Sequence, residues 1–157
     1  MKISGEALGL INAHGERDYP EECCGMLLGS QREGVRVIEE VVEIDNSQGE
    51  NRRRRFLITP RQYIEAEKTA ALRNRELLGF YHSHPDHPAL PSSFDTEHAL
   101  PWFIYVIVSV QQRQAAAITA WVLSETRSQF EEVPLDVEPA VAQSAHAGND
   151  GPEVTPG

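Results

Sequence analysis

The stretch Gly79-Phe80-Tyr81-His82-Ser83-His84-Pro85-Asp86-His87-Pro88, continued by Ala89-Leu90-Pro91-Ser92-Ser93-Phe94-Asp95, carries the most information in this chain. Leu77 to His82 reads as a strand that delivers His82 at its end. Residues i and i+2 of a strand point to one face, so His82 and His84 present two imidazoles on the same side. Prolines at 85, 88 and 91 stiffen the loop that follows. That loop is short enough to return Asp95, at the start of a short helix, to the same place. Two imidazoles and one carboxylate suit zinc and leave a fourth tetrahedral position for water, as catalytic zinc sites do and structural sites do not. The expectation is one Zn2+ per chain, held by His82, His84 and Asp95.

Outward from this segment the chain alternates helical and extended patterns. Gly5 to Arg17 places Leu8 and Ile11 near one helical face, and Tyr19-Pro20 ends it. Cys24 to Gly29 reads as a short buried strand. Val35 to Ile44 reads as another, with an irregularity near Glu39-Glu40. Phe56-Leu57-Ile58 suggests a further short strand. Thr59 followed by Pro60 has the form of a helix N-cap with proline in the first turn, and Tyr63, Ala66 and Ala70 carry that helix to about Arg75. Trp102 to Val110 and Ala115 to Leu123 read as buried strands, with Ser128 to Val133 as an edge. The fold class expected is α+β, a mixed β-sheet core flanked by helices.

A chain of 157 residues has room for one domain with one core. Residues 1–135 are expected to form it. Residues 136–157 carry Pro, Gly, Ala and acidic residues with no Lys or Arg, and read as a disordered acidic tail. The longest apolar run, Trp102 to Val108, is far short of the roughly 20 residues of a membrane span. The N-terminus lacks the apolar core of a secretory signal. No membrane association and a cytoplasmic location are the expectation. A net charge of −10 disfavours nucleic acid, whose binding depends on neutralising phosphates. The basic run Arg52 to Arg55 reads as a solvated loop or as a docking patch for an acidic partner. The two cysteines, Cys23 and Cys24, are adjacent, which excludes a disulfide framework and a sulfur-rich zinc knuckle.

The spacing His-x-His, seven residues, Ser, two residues, Asp fits His82, His84, Ser92 and Asp95 without a gap. It resembles the signature of the JAMM zinc metallopeptidases, the catalytically competent branch of the MPN domain family. Tyr19 to Gly29 is similar to that family's upstream motif in its small bacterial members. There a Glu precedes an x-Cys-Gly step, which selects Glu22 over Glu21. The resemblance covers residues 1 to 133 and implies an MPN domain, whose architecture is similar to a cytidine-deaminase sheet core. It implies that Glu22 takes a proton from water and passes it to the departing amine. It also implies that the Ser92 hydroxyl donates to the carbonyl oxygen as charge develops, beside a bland role as a helix cap.

For small bacterial relatives the resemblance implies hydrolysis of a peptide or isopeptide bond. The substrate it suggests is the C-terminal Gly-Gly tail of a ubiquitin-like sulfur-carrier protein, with release of cysteine or another adduct. Two alternatives stand beside it: a zinc hydrolase of small peptides or amides, and a non-catalytic MPN scaffold.

Neighbouring residues carry lesser expectations. Asp86 either orients an imidazole or is a solvated loop carboxylate, the plainer reading. His87 either contacts a ligand or is solvated. His98 reads as a surface residue, Cys24 as a small core side chain, and His14 as a helix residue without a function.

Overall fold

A computed structural model describes residues 1–46, 57–126 and 128–139. The element order is β1 (Lys2–Ser4), α1 (Gly5–Asp18), β2 (Cys24–Arg32), β3 (Val35–Ile44), α2 (Pro60–Leu72), β4 (Glu76–Pro85), α3 (Ser93–His98), β5 (Ile104–Gln111), β6 (Gln114–Leu123), β7 (Phe130–Val133) and β8 (Asp136–Glu138). The strands form a single sheet in the order β7-β6-β5-β4-β2-β3-β1-β8. It is mixed: β4 runs parallel to β5, and β1 is parallel to both β3 and β8, while the remaining pairs are antiparallel. The α+β class with helices on a mixed sheet holds.

The two faces of the sheet make two cores. Strand alternation sends Leu27, Tyr81, Val106 and Val108 to one face, where Ala7 and Ile11 of α1 cover them. It sends Cys24, Met26, Phe80 and Tyr105 to the other, beneath Ala66 and Ala70 of α2. Ile104, Val106 and Val108 are fully buried, and each such side chain is worth roughly 1.5–3 kcal/mol in removal from water. Local signals set the helix starts. Ser4 Oγ accepts from the Ala7 N–H at 3.1 Å. Thr59 and Gln62 form a reciprocal capping box with Pro60 at the first position, as the Thr-Pro pair predicts.

The irregularity expected near Glu39-Glu40 is a bulge: Leu28 pairs with Glu40 and Gly29 with Ile38, leaving Glu39 as the extra residue. Other expectations shift. The helix from Thr59 stops at Leu72 rather than Arg75. Leu57 and Ile58 are not strand, and Phe56 lies outside the described residues, as do Arg52 to Arg55. Trp102 precedes β5, at φ 71° and largely exposed, instead of opening the strand. Asp136–Glu138, assigned from composition to the tail, pair in parallel with Lys2–Ser4. Composition missed them because so short an edge strand needs no apolar run when the ladder is made by backbone groups. Residues 140–157 lie outside the description. No helix among the described residues is long and apolar enough to cross a membrane.

Candidate metal centre

The antiparallel register of β2 with β4 pairs Cys24 with His82 at the end of the ladder. Two residues before Cys24 stands Glu22, and two residues beyond His82 stands His84. The register therefore brings the segment before β2 against the end of β4. Both histidines are buried, His82 at 1% and His84 at 8% exposure, and the Asp95 side chain is 7% exposed.

His82 Nε2 lies 3.1 Å from His84 Nε2 and 3.3 Å from Asp95 Oδ1, while His84 Nε2 lies 3.4 Å from Asp95 Oδ2. The three residues form a group that could hold a metal ion. The chemistry of the donors fits one. His84 Nδ1 lies 2.9 Å from the Pro88 carbonyl oxygen, which can only accept, so that nitrogen donates and Nε2 is left to face the cluster. Two ring nitrogens and a carboxylate gathered this closely are accommodated by a proton or a metal ion shared among them. Burial would push the Asp95 carboxyl up, but the neighbouring His82, hydrogen bonds from both histidines and the Ser92 N–H hold it far below the usual range. His82 is pushed down by burial against the pull of Asp95. His84, despite burial, is raised by Asp95 and the Pro88 carbonyl.

Asp95 reaches the cluster through local helix chemistry. Ser92 caps α3: its Oγ accepts from Asp95 N–H at 3.1 Å, and Asp95 Oδ2 accepts from Ser92 N–H at 2.8 Å. The Ser-x-x-Asp spacing of the signature is thus also the spacing of a capping box. The loop between His84 and Ser92 is tied down from outside. Asp86, at φ 54°, accepts from the Gln112 N–H at 2.9 Å and from the Tyr19 hydroxyl. Ser109 Oγ donates to His87 O at 2.6 Å. Asp86 therefore neither orients an imidazole nor stands merely solvated; it staples the loop to the β5–β6 turn.

Glu22 is buried, and its Oε2 has no hydrogen-bond partner among the described residues. Burial pushes its carboxyl up to about 8, with Asp95 adding to the rise and His84 opposing it. Glu22, His84 and Ser92 line one cavity of 450 Å3, with His87, Pro88 and Leu90. A second cavity of 390 Å3, mostly apolar, has His82 and Asp95 in one wall and Tyr63, Phe80, Leu100 and Tyr105 in the others. Sequence reading missed it, because its walls come from α2, β4, β5 and the α3–β5 connection. His98 also lines it, exposed and stacked on Phe94 at 4.0 Å. Burial pushes the Cys23 thiol up to about 12 and raises Cys24 further, so neither is a thiolate at neutral pH. Cys24 is a core residue, as expected.

His14 is not an idle helix residue: it is buried, its Nδ1 lies 2.8 Å from the Tyr81 hydroxyl and its Nε2 3.2 Å from Asp18.

A mixed sheet with a buried His-x-His at a strand end and a carboxylate returned by a capped helix defines a class of domain with a candidate metal site at the strand end. The chain belongs to the prokaryotic homologs of the JAB domain, whose family model matches residues 5–124. It is similar to a desampylase of Haloferax volcanii, 27% identical over 88% of this chain and 96% of that one. It is also similar to a desampylase of Pyrococcus furiosus, 31% identical over 74% of this chain and 76% of the other. Among solved structures, a solution structure of a protein from Salinibacter ruber is 40% identical. It covers 88% of this chain and 92% of its own, with a TM-score of 0.70.

Proposed function

We propose that this protein is a zinc-dependent isopeptidase that hydrolyses the bond at the C-terminal Gly-Gly tail of a ubiquitin-like sulfur-carrier protein, releasing cysteine or another amine adduct. The observation that carries this reading is the convergence of His82, His84 and Asp95 within 3.1–3.4 Å beside a buried Glu22 whose Oε2 has no hydrogen-bond partner among the described residues. Zinc held by those three residues supplies a Lewis acid that polarises a carbonyl and makes water reactive at neutral pH.

The chain's own groups do the rest. Glu22 takes a proton from the attacking water and delivers it to the departing amine. Burial raises the proton affinity of the Glu22 carboxylate, which makes its ionised form a stronger acceptor for that proton. Ser92 Oγ accepts from Asp95 N–H, which leaves its own hydrogen to donate to the carbonyl oxygen as negative charge develops. The Pro88 carbonyl keeps His84 oriented.

Support for the substrate class comes from the relatives that carry the name desampylase, which denotes removal of a ubiquitin-like modifier. A Gly-Gly end also suits a buried site, since an extended segment without side chains threads where a bulkier one does not. Metal content and cleavage of a carrier–cysteine adduct, compared between wild type and Glu22→Gln, test the reading. Near-stoichiometric zinc in both with cleavage only by wild type is the expected result. Zinc in both with cleavage of small peptides but not of the carrier would move the substrate to the small-amide alternative. No zinc binding after reconstitution would sink the proposal.

A further inference from the structure

The residue between the two histidines, Ser83, is fully buried and points to the opposite face from them. Beyond the last ladder pair, Cys24 with His82, the next residues to meet across β2 and β4 are Cys23 and Ser83. Ser83 N–H donates to Cys23 O at 3.0 Å, an ordinary backbone bond. The return bond takes another route: Cys23 N–H donates to Ser83 Oγ at 2.9 Å. A side-chain oxygen stands where a carbonyl would serve in a regular ladder, and β2 ends there. Glu22 is the next residue out, its carbonyl held from the other side by Asn46 Nδ2 at 3.2 Å.

Sterics do not require the hydroxyl. A Cβ built on Gly15 of α1 would lie 3.5 Å from Ser83 Cβ and 2.9 Å from Val110 Cγ2, so the space over Ser83 is closed and demands a small residue. Alanine would meet that demand. What the hydroxyl adds is an acceptor for a buried N–H one residue from Glu22, which otherwise bears the cost of an unmade hydrogen bond.

We propose that Ser83 is a positioning residue: by holding Cys23 N–H it fixes Glu22 relative to His84, coupling the proton acceptor to the strand that carries the metal ligands. This inference rests on the reading of Glu22 given above. Ser83 touches neither substrate nor metal; it acts through the backbone of residues 22–23.

The test compares Ser83→Ala and Ser83→Cys with wild type, each also in a Glu22→Gln background. In metal-free Ser83→Ala, hydrogen exchange at the Cys23 amide is expected to quicken while the β5 amides keep their protection. In the zinc-loaded protein, kcat is expected to fall roughly 10- to 100-fold, the scale of a misplaced group, with metal content unchanged. KM is expected to stay within about twofold, since only the transition-state contribution is lost. Cysteine, which keeps the volume with a weaker acceptor, is expected to fall between. In the Glu22→Gln background Ser83→Ala is expected to remove nothing more from the slow residual cleavage.

Unchanged kcat in Ser83→Ala, or an equal loss in both backgrounds, would overturn the proposal. Full activity of Glu22→Gln alone would instead overturn the assignment of Glu22. That failure is told apart because it shows in the single variant, before Ser83 is touched.

Discussion

His84 Nδ1 and the carbonyl oxygen of Pro88 lie 2.9 Å apart, four residues from one another in a loop whose far side is stapled to β5 and the β5–β6 turn. The contact fixes both the tautomer and the ring plane of a buried imidazole, so that its Nε2 faces Asp95. The orientation of His84 in the candidate metal site is therefore a property of the proline-rich loop as much as of the strand, and loss of the site is separable from loss of the fold.

Asp95→Asn makes that separation. An amide oxygen still accepts from Ser92 N–H, so the start of α3 is kept. The charge that Asp95 brings to the candidate metal site is gone. Zinc affinity is expected to drop by more than the roughly 10–100-fold seen when only an outer partner of a ligand is lost. Titration against a competing chelator, with circular dichroism to check the fold, reads the effect; unchanged affinity would remove Asp95 from the ligand set.

Ser92 carries two separable jobs. Ser92→Ala is expected to cost about 1 kcal/mol of stability through loss of the cap, and Ser92→Asp, which keeps an acceptor, to recover much of it. If the hydroxyl also serves the carbonyl oxygen, both variants lose turnover by about 10²–10³-fold. Urea denaturation and kcat on the same preparations decide whether the cap is its whole role.

Gly25 is where β2 admits the Tyr81 ring. A Cβ there would sit 2.2 Å from Tyr81 Cε1, and the ring cannot swing away without breaking its hydroxyl contact to His14. Gly25→Ala is expected to destabilise by about 1–3 kcal/mol, the usual range for overpacking. In a Tyr81→Leu background the same change should cost much less, and additive losses would show that the clash is not the cause.

The buried His14 makes the fold acid-sensitive. Burial lowers its pKa below the ordinary 6.5; Asp18 and Glu43 pull the other way, and Arg17 adds to the lowering. The unfolded chain therefore takes up this proton more readily than the folded one. The histidine's contribution is fully present above pH 6.5 and is lost as pH falls through the depressed folded value. The difference in unfolding free energy between wild type and His14→Gln should shrink as pH is lowered through that window. A difference independent of pH would mean that His14 titrates alike in both states.

The sequence by itself determined which residues the candidate site brings together and most of its local geometry. His82, His84, Ser92 and Asp95 are fixed by short-range rules: two-residue alternation in a strand, prolines in a loop, and a Ser-x-x-Asp helix start. The α1 and α2 starts and the bulge at Glu39 were legible for the same reason, since caps and breaks in alternation are local. The tertiary structure alone decided what depends on strands distant in sequence. Glu22 meets His84 because β2 pairs with β4 in one register out of many. Asp86 becomes a staple because Tyr19 and Gln112 arrive beside it. Asp136–Glu138 become strand because Lys2–Ser4 offers an open edge. Backbone hydrogen bonds carry no side-chain signature, so pairing partners and the cavities between them are written only in the folded chain.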